Sequence, residues 1–229
     1  MHKLNRLFWE KCEAKYPEFF HGVGRVLEVG SCNVNGSVRD HFSDVGTYIG
    51  VDWRAGLDVD LVCLASRMSF DERFDVVISA SMLEHDPEWR LSLVNMVSQL
   101  KPDGILMLSW GAARNAPHSH STAVDGEFHP RPAGQVISFL QSIGVYVHFF
   151  RYEAKLRVKD KAKPVEEVHS KGMGEVCLIA FKNPDIAKGP IEVDELLSED
   201  NIGWEADPVL PQAGPKKPRR HPARRRGRK

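Results

Sequence analysis

The chain has 229 residues, 42% hydrophobic and 27% charged, which suits one globular domain with or without an appended tail. Collagen-like, wholly disordered and disulfide-scaffold classes are excluded, and no run approaches the roughly 18 apolar residues of a membrane span. The formal net charge of zero hides an asymmetry: nine of the 31 Lys and Arg fall in residues 215–229, which hold no acid, so residues 1–214 carry 22 basic against 31 acidic groups. The four cysteines are far apart and form no CxxC pair, so neither a disulfide framework nor a zinc knuckle is expected. Cys63 and Cys177 sit in apolar runs and read as buried. The opening segment, MHKLNRLFWEKCEAKYPEFF, alternates charged and apolar groups and lacks the apolar core of a secretory signal. A cytoplasmic protein is expected.

Residues 4–20 read as an amphipathic helix, with Leu4, Leu7 and Phe8 on one face and Pro17 and Gly22 as interruptions near its end. RVLEVG, 25–30, is a strand ending in glycine. A helix is expected over 35–43, capped by Asn35 or Ser37. TYIGVD, 47–52, VDLVCL, 59–64, and RFDVVISAS, 73–81, are the next strands, the last with Val76, Val77 and Ile78 buried. PEWRLSLVNMVSQL, 87–100, predicts a helix with Asp86 as cap and Pro87 in its first turn. Leu91, Val94, Val97 and Leu100 lie near helical spacing. KPDG, 101–104, is a turn before the strand ILMLSW, 105–110. A long polar loop comes next, over 111–131. A helix over 132–144, ended by Gly144, and strands over 145–156 and 175–181 complete the pattern.

Strands that alternate with helical segments imply βαβ units and a mostly parallel, doubly wound sheet. The last two strands lack an intervening helix and are expected to pair antiparallel at one edge. After Phe181 the composition changes: residues 185–207 hold eight acids and one Lys, and 208–229 are dominated by Pro, Gly, Arg and Lys. The domain is therefore placed at 1–183, with its N-terminal helix. Residues 184–229 form an acidic, then basic, tail that reads as poorly ordered.

Two sites stand out. In Glu28-Val29-Gly30-Ser31-Cys32-Asn33, a strand runs into a glycine turn, where Gly30 lets the backbone approach a ligand. Asp52 ends the second strand, at the spacing past the glycine turn from which an acid bonds a ribose diol. Trp53 beside it offers an apolar plane. A dinucleotide fingerprint wants GxGxxG, but Cys32 occupies the second glycine position and no third glycine follows. This disfavours a nicotinamide enzyme.

RVLEVGSCNVNGSVR, YIGVDWRAGLDVDLV and FDVVISASMLEHDPEWRLSLVNMVSQLKPDGILMLSW together resemble the class I S-adenosylmethionine-dependent methyltransferases. The group resembled carries LEH after the fourth strand and an LKPGG-like turn before the fifth, over about residues 23–182. The resemblance implies a seven-stranded mixed Rossmann-like sheet with S-adenosyl-L-methionine as cofactor. It implies that Glu28, Gly30, Ser31 and Cys32 form the first wall of the cofactor site. Asp52 and Trp53 would hold ribose and adenine, Leu64 and Ala65 would border the adenine, and Ala80 and Ser81 would lie beside the methionine. Leu64 stands where the family commonly has Asp and cannot accept the adenine amino proton. Cys32 adds a side chain where glycine is usual.

On the acceptor side, Glu84 and His85 follow the fourth strand. His85 reads either as a general base or as a residue that packs the following helix. The 111–131 loop carries Arg114, Asn115, His118, His120 and His129. A polar loop of this length inside a domain tends to be functional, and His118 and His120 are candidate catalytic groups, with Glu84, Arg114, Asn115 and His129 facing substrate. His118-x-His120 with His129 is not a recognised metal spacing, so no metal is expected. No Asn/Asp-Pro-Pro-aromatic run and no Pro-Cys pair occurs, which disfavours DNA-base methylation. The main expectation is methyl transfer to oxygen or nitrogen of a small polar acceptor. The alternative is a non-catalytic module of the same fold. In it, residues 216–229 bind nucleic acid or another polyanion through phosphate contacts; the same residues also read as a plain solvated tail.

Overall fold

The structure, a computed structural model, describes residues 3–34, 36–111, 131–154 and 174–188. Its centre is a seven-stranded sheet in the order β3-β2-β1-β4-β5-β7-β6. Strands β1 (Arg25–Val29), β2 (Thr47–Asp52), β3 (Leu61–Val62), β4 (Phe74–Ala80) and β5 (Leu100–Gly111) run parallel. Strand β7 (Gly174–Phe181) lies antiparallel between β5 and β6 (Tyr146–Ala154), as expected for two strands with no helix between them. The chain winds outward from β1 to β3, then returns to β4 beside β1. That reversal places a crevice beyond the carboxyl ends of β1 and β4.

Period-two alternation divides the sheet into two buried faces. Val26, Val76, Ile78, Ile105 and Met107 meet α1 (Lys3–Lys15) through Phe8, Trp9 and Cys12. Leu27, Val29, Val77, Leu106 and Leu108 meet α2 (Trp89–Gln99) and α3 (Ala133–Ser142). Cys177 is buried, as expected, whereas Cys63 is only half-buried because β3 lies at the edge of the sheet.

The first helix ends at Lys15 rather than running on to residue 20, because Pro17 opens a separate 3-10 turn, Pro17–Phe19. Helix α1 lies along a face of the sheet. The Ser109 hydroxyl donates to Asn5 Oδ1 at 3.1 Å at the carboxyl end of β5. At the other end, Tyr16 packs on Phe181 with ring centroids 5.7 Å apart. Only the start of α1 therefore reaches the ligand edge. Packing continues past residue 183: Lys188 donates its backbone N–H to Tyr16 Oη at 3.2 Å, and its Nζ bonds Glu18.

The helix expected over 35–43 is a single 3-10 turn, Val38–His41. Two side-chain bonds set its N-terminal side, where Ser37, one of the two expected caps, does cap the turn. Asn33 Oδ1 accepts from Gly36 N–H at 3.0 Å, and Ser37 Oγ accepts from Arg39 N–H at 3.1 Å. The Asn33 bond is a local turn that competes with helical bonding, whereas the Ser37 bond caps the element that follows. Phe42 then leaves in extended conformation to stack on Phe20. The third strand shrinks to two residues, both exposed. The 101–104 turn is present as a bulge: pairing jumps from Phe74 with Leu100 to Val76 with Ile105.

In α2 the buried stripe is Trp89, Leu93, Met96 and Val97, while Leu91 and Val94 face outward at 49% and 39% exposure. The four residues noted at helical spacing thus divide, Val97 and Leu100 buried and Leu91 and Val94 outward. On that side α2 meets the short turn Ala65–Arg67, pinned by Asn95 Nδ2 donating to the Ala65 carbonyl. Leu91→Ala should therefore change stability by no more than about 0.5 kcal/mol. A core leucine would cost about 2–5 kcal/mol, so a large fall in the thermal midpoint would return Leu91 to the core.

Candidate active site

The glycine turn after β1 is fastened to β2 from the backbone up. Gly30 N–H and Ser31 N–H both donate to the Val51 carbonyl, at 2.8 and 3.1 Å. Gly30 has φ +82°, and a Cβ there would lie 2.6 Å from Met82 Cβ. Glycine is required both by the left-handed backbone and by this contact. The turn after β1 thus touches the turn after β4 directly.

Asp52 is 7% exposed and faces the glycine turn. Its Oδ2 accepts from Cys32 N–H at 3.1 Å, and its Oδ1 from Arg54 N–H at 3.2 Å. Each oxygen keeps a second lone pair for a ligand. The 53–60 segment folds back on the first turn. Asn33 N–H donates to the Leu57 carbonyl, and Asn33 Nδ2 to Asp58 Oδ2 at 2.7 Å. Cys32, the apparent intruder in the sequence, is accommodated by a second glycine. A Cβ on Gly56 would lie 2.4 Å from Cys32 Sγ, so the thiol sits against Gly56. Ser31 is buried, and its hydroxyl has no hydrogen-bond partner among the described residues.

Glu28 is 3% exposed and accepts from Tyr48 Oη at 2.8 Å through Oε2. Burial lifts its pKa to about 7, against the lowering effects of the Tyr48 hydroxyl and Arg39; Asp58 and Asp60 push it further up. The Arg39 guanidinium lies 4.3 Å from the Tyr48 ring centroid and pairs with Asp60. Burial and the Glu28 carboxyl together push the Tyr48 phenol up.

At the ends of β2 and β3, Trp53 and Leu64 are exposed apolar side chains, at 45% and 44%. The register between Asp52 and Val62 brings these two ends together. Ala65 follows in the 3-10 turn. At the end of β4, Ala80 is half-buried, and Ser81 is exposed with φ +58°, a conformation disfavoured for a residue with a side chain. The Ser81 N–H is held by the Ser109 carbonyl at 2.8 Å.

The turn Leu83–His85 comes next. Glu84 is 3% exposed, and its Oε1 accepts from Gly111 N–H at 2.9 Å, so the carboxylate is turned into the protein and fastens this turn to β5. His85 is half-buried at the end of the turn. Arg131 braces the same turn. Its Nε donates to the Leu83 carbonyl at 3.2 Å and its Nη2 to the Asp86 carbonyl at 2.7 Å. The Arg131 carbonyl accepts from Trp110 Nε1 at 2.8 Å. Burial pushes the guanidinium below its ordinary pKa, opposed by Asp86.

Gly30, Ser31, Cys32, Asp52, Trp53, Leu64, Ala80, Ser81 and His85 therefore lie at the carboxyl ends of β1 to β4 or in the segments that follow them. Arg114, Asn115, His118, His120 and His129 lie outside the described residues. Among the described residues no group of three or more His, Cys, Asp or Glu is arranged to hold a metal ion, and no helix is long and apolar enough to cross a membrane. Sequence reasoning missed Tyr48, Gly56, Met82 and Arg131. For Tyr48 a signal existed: alternation puts Tyr48, Gly50 and Asp52 on one face of β2.

Residues 27–108 match a family described as "Methyltransferase domain". No curated protein matches the chain by sequence. Solved structures share the architecture. A 1,6-didemethyltoxoflavin-N1-methyltransferase from Burkholderia thailandensis, with bound 1,6-didemethyltoxoflavin and S-adenosylhomocysteine, is 15% identical with TM-score 0.55, covering 78% of this chain and 77% of its own. A putative S-adenosylmethionine-dependent methyltransferase from Listeria monocytogenes is 13% identical with TM-score 0.56, covering 79% and 98%. A phosphoethanolamine N-methyltransferase 2 from Haemonchus contortus, in complex with S-adenosyl-L-methionine, is 14% identical with TM-score 0.52, covering 77% and 52%. Residues 27–108 match the methyltransferase-domain family, and the sheet that carries them has the fold of the class I S-adenosylmethionine-dependent methyltransferases.

Proposed function

We propose that this chain transfers a methyl group from S-adenosylmethionine to an oxygen or nitrogen of a small polar acceptor. The observation that carries the reading is the Asp52 carboxylate, fixed by Cys32 N–H and Arg54 N–H beside the Gly30 turn at the topological switch point. An acid so held is suited to a ribose diol. Trp53 and Leu64, exposed at adjoining strand ends, suit the two sides of a flat purine. The Ser31 hydroxyl is buried against Gly50 of β2, where a Cβ would lie 2.7 Å from its Oγ, and supports the glycine turn from within. Glu28, Gly30 and Cys32 complete that wall, and Ala65, Ala80 and Ser81 the far side.

Bound S-adenosylmethionine supplies an activated methyl carbon on a sulfonium. The protein's part is then largely to hold a nucleophile in line and to exclude water. Ser81, kept in its left-handed conformation by the Ser109 carbonyl, and the braced turn that carries Glu84 and His85 form the acceptor side. His85 takes the acceptor proton where the acceptor needs a base. Arg114, Asn115, His118, His120 and His129 orient the acceptor, with His118 and His120 as further candidate bases. The basic run 216–229 binds polyanions, nucleic acid included, through phosphate contacts. The protein works in the cytoplasm.

Calorimetric titration with S-adenosylmethionine tests the central claim. Saturable binding in the micromolar range is expected. An absence of heat at millimolar cofactor would leave a fold without its ligand and favour the non-catalytic alternative.

A further inference from the structure

Arg131 lies far along the chain from the glycine turn and bears no motif, yet it is bonded to the turn that touches Gly30. Its two donors take the carbonyls of Leu83 and Asp86, one on each side of Glu84-His85. Its own carbonyl is taken by Trp110 Nε1, and Gly111 N–H is taken by Glu84. The guanidinium carbon also sits 5.8 Å from the Trp89 ring centroid, at the start of α2. The end of β5, the turn after β4 and the residue that opens the approach to α3 are thereby locked into one unit.

This unit adjoins Ala80 and Ser81, which the family resemblance sets beside the cofactor's methionine. Met82, the residue before Leu83, is the side chain that Gly30 must clear. Ser81, the residue before Met82, holds a strained φ of +58°. Such strain persists only where surrounding bonds over-determine it. The bonds available are Ser81 N–H to the Ser109 carbonyl on one side and the Arg131-braced turn on the other. Arginine suits the position because its planar fork reaches two carbonyls at fixed geometry, whereas a lysine ammonium is a single flexible point donor.

We propose that Arg131 is a positioning residue for the methionine half of the cofactor, acting through Ser81 and Met82 by clamping the turn that follows β4. The proposal rests on the reading of this site as a cofactor site. Its distinctive consequence is selectivity between two ligands. S-adenosylhomocysteine carries the amino-acid arm that would lie against this turn. 5′-Methylthioadenosine keeps the adenosine and the thioether but lacks that arm.

The experiment measures the affinity of both ligands by calorimetry for the parent, Arg131→Gln and Arg131→Lys, with thermal midpoints recorded alongside. Arg131→Gln is expected to weaken S-adenosylhomocysteine about tenfold while 5′-methylthioadenosine stays within twofold. Arg131→Lys keeps the charge and one donor contact, so it should fall between parent and Gln, and it carries the same comparison should the Gln variant unfold. Equal loss of both ligands reveals a merely structural residue and overturns the proposal, as does no loss of either. A parent that binds neither ligand removes the cofactor reading itself and the proposal with it.

Discussion

Asp52→Ala is expected to weaken S-adenosylhomocysteine binding by roughly 10- to 150-fold, because losing a charged hydrogen-bond acceptor costs about 1.5–3 kcal/mol. Two N–H groups already point at this carboxylate, from Cys32 and from Arg54. They hold it in place before any ligand arrives, so little ordering cost remains at binding. The same two contacts mean that alanine also loosens both turns, and a modest fall in thermal midpoint should accompany the loss of affinity. Calorimetry on the parent and variant gives the fold-change directly. An affinity unchanged in the alanine variant would mean that the ribose is held elsewhere.

The parts of this fold that were legible in the sequence are those where one face is buried and the signal is local. Val26 to Val29 and Val76 to Ile78 are apolar runs too short for helices, and both became central strands. The glycine turn and Asp52 were legible because their spacing is set by one crossover between adjacent parallel strands. The face of α2 was not, for an identifiable reason. Its true buried stripe includes Ser92 and Gln99, which are polar, and Arg73 Nη1 bonds the Gln99 side chain. Its outer side carries Leu91 and Val94, which look like core. Periodicity alone therefore did not settle the buried face. Ser37 was legible as a cap and does cap the turn after it; the shortness of that turn was not, because Phe42 leaves in extended conformation to stack on Phe20, far away in sequence.

At the site, the sequence displayed Cys32 as an anomaly but not its compensation. Gly56 lies beyond the whole of β2, and only the folded return of the 53–60 segment brings its empty face to the thiol. Arg131 was illegible for a similar reason: both of its side-chain hydrogen bonds are to backbone carbonyls, which leave no trace in residue type. Glu84 and His85 were found by resemblance, but not the division between them. The carboxylate is engaged by Gly111 N–H inside the protein, and the imidazole stands at the end of the turn, half-buried.

Glu28→Gln should change the pH dependence of stability. Burial raises the folded carboxyl's pKa from 4.5 to about 7. The folded protein then holds a proton that the unfolded chain releases in this range, so stability falls as pH rises from about 4.5 to about 7 and is level above it. The raised pKa corresponds to a cost on the order of 3 kcal/mol at pH 8. Glutamine cannot ionise, and its amide oxygen still accepts from Tyr48 Oη. The variant should therefore match the parent near pH 4.5 and exceed it by about 1–3 kcal/mol at pH 8, read as the difference between thermal midpoints across that range. Taking the difference between the two proteins cancels the titration of the histidines. Parallel curves would show that Glu28 is solvated in the folded protein. A carboxylate kept at a cost to stability is characteristic of a functional site, so the same Gln variant is expected to bind S-adenosylhomocysteine more weakly than the parent above pH 7, where Glu28 is charged, and with nearly equal affinity below pH 6.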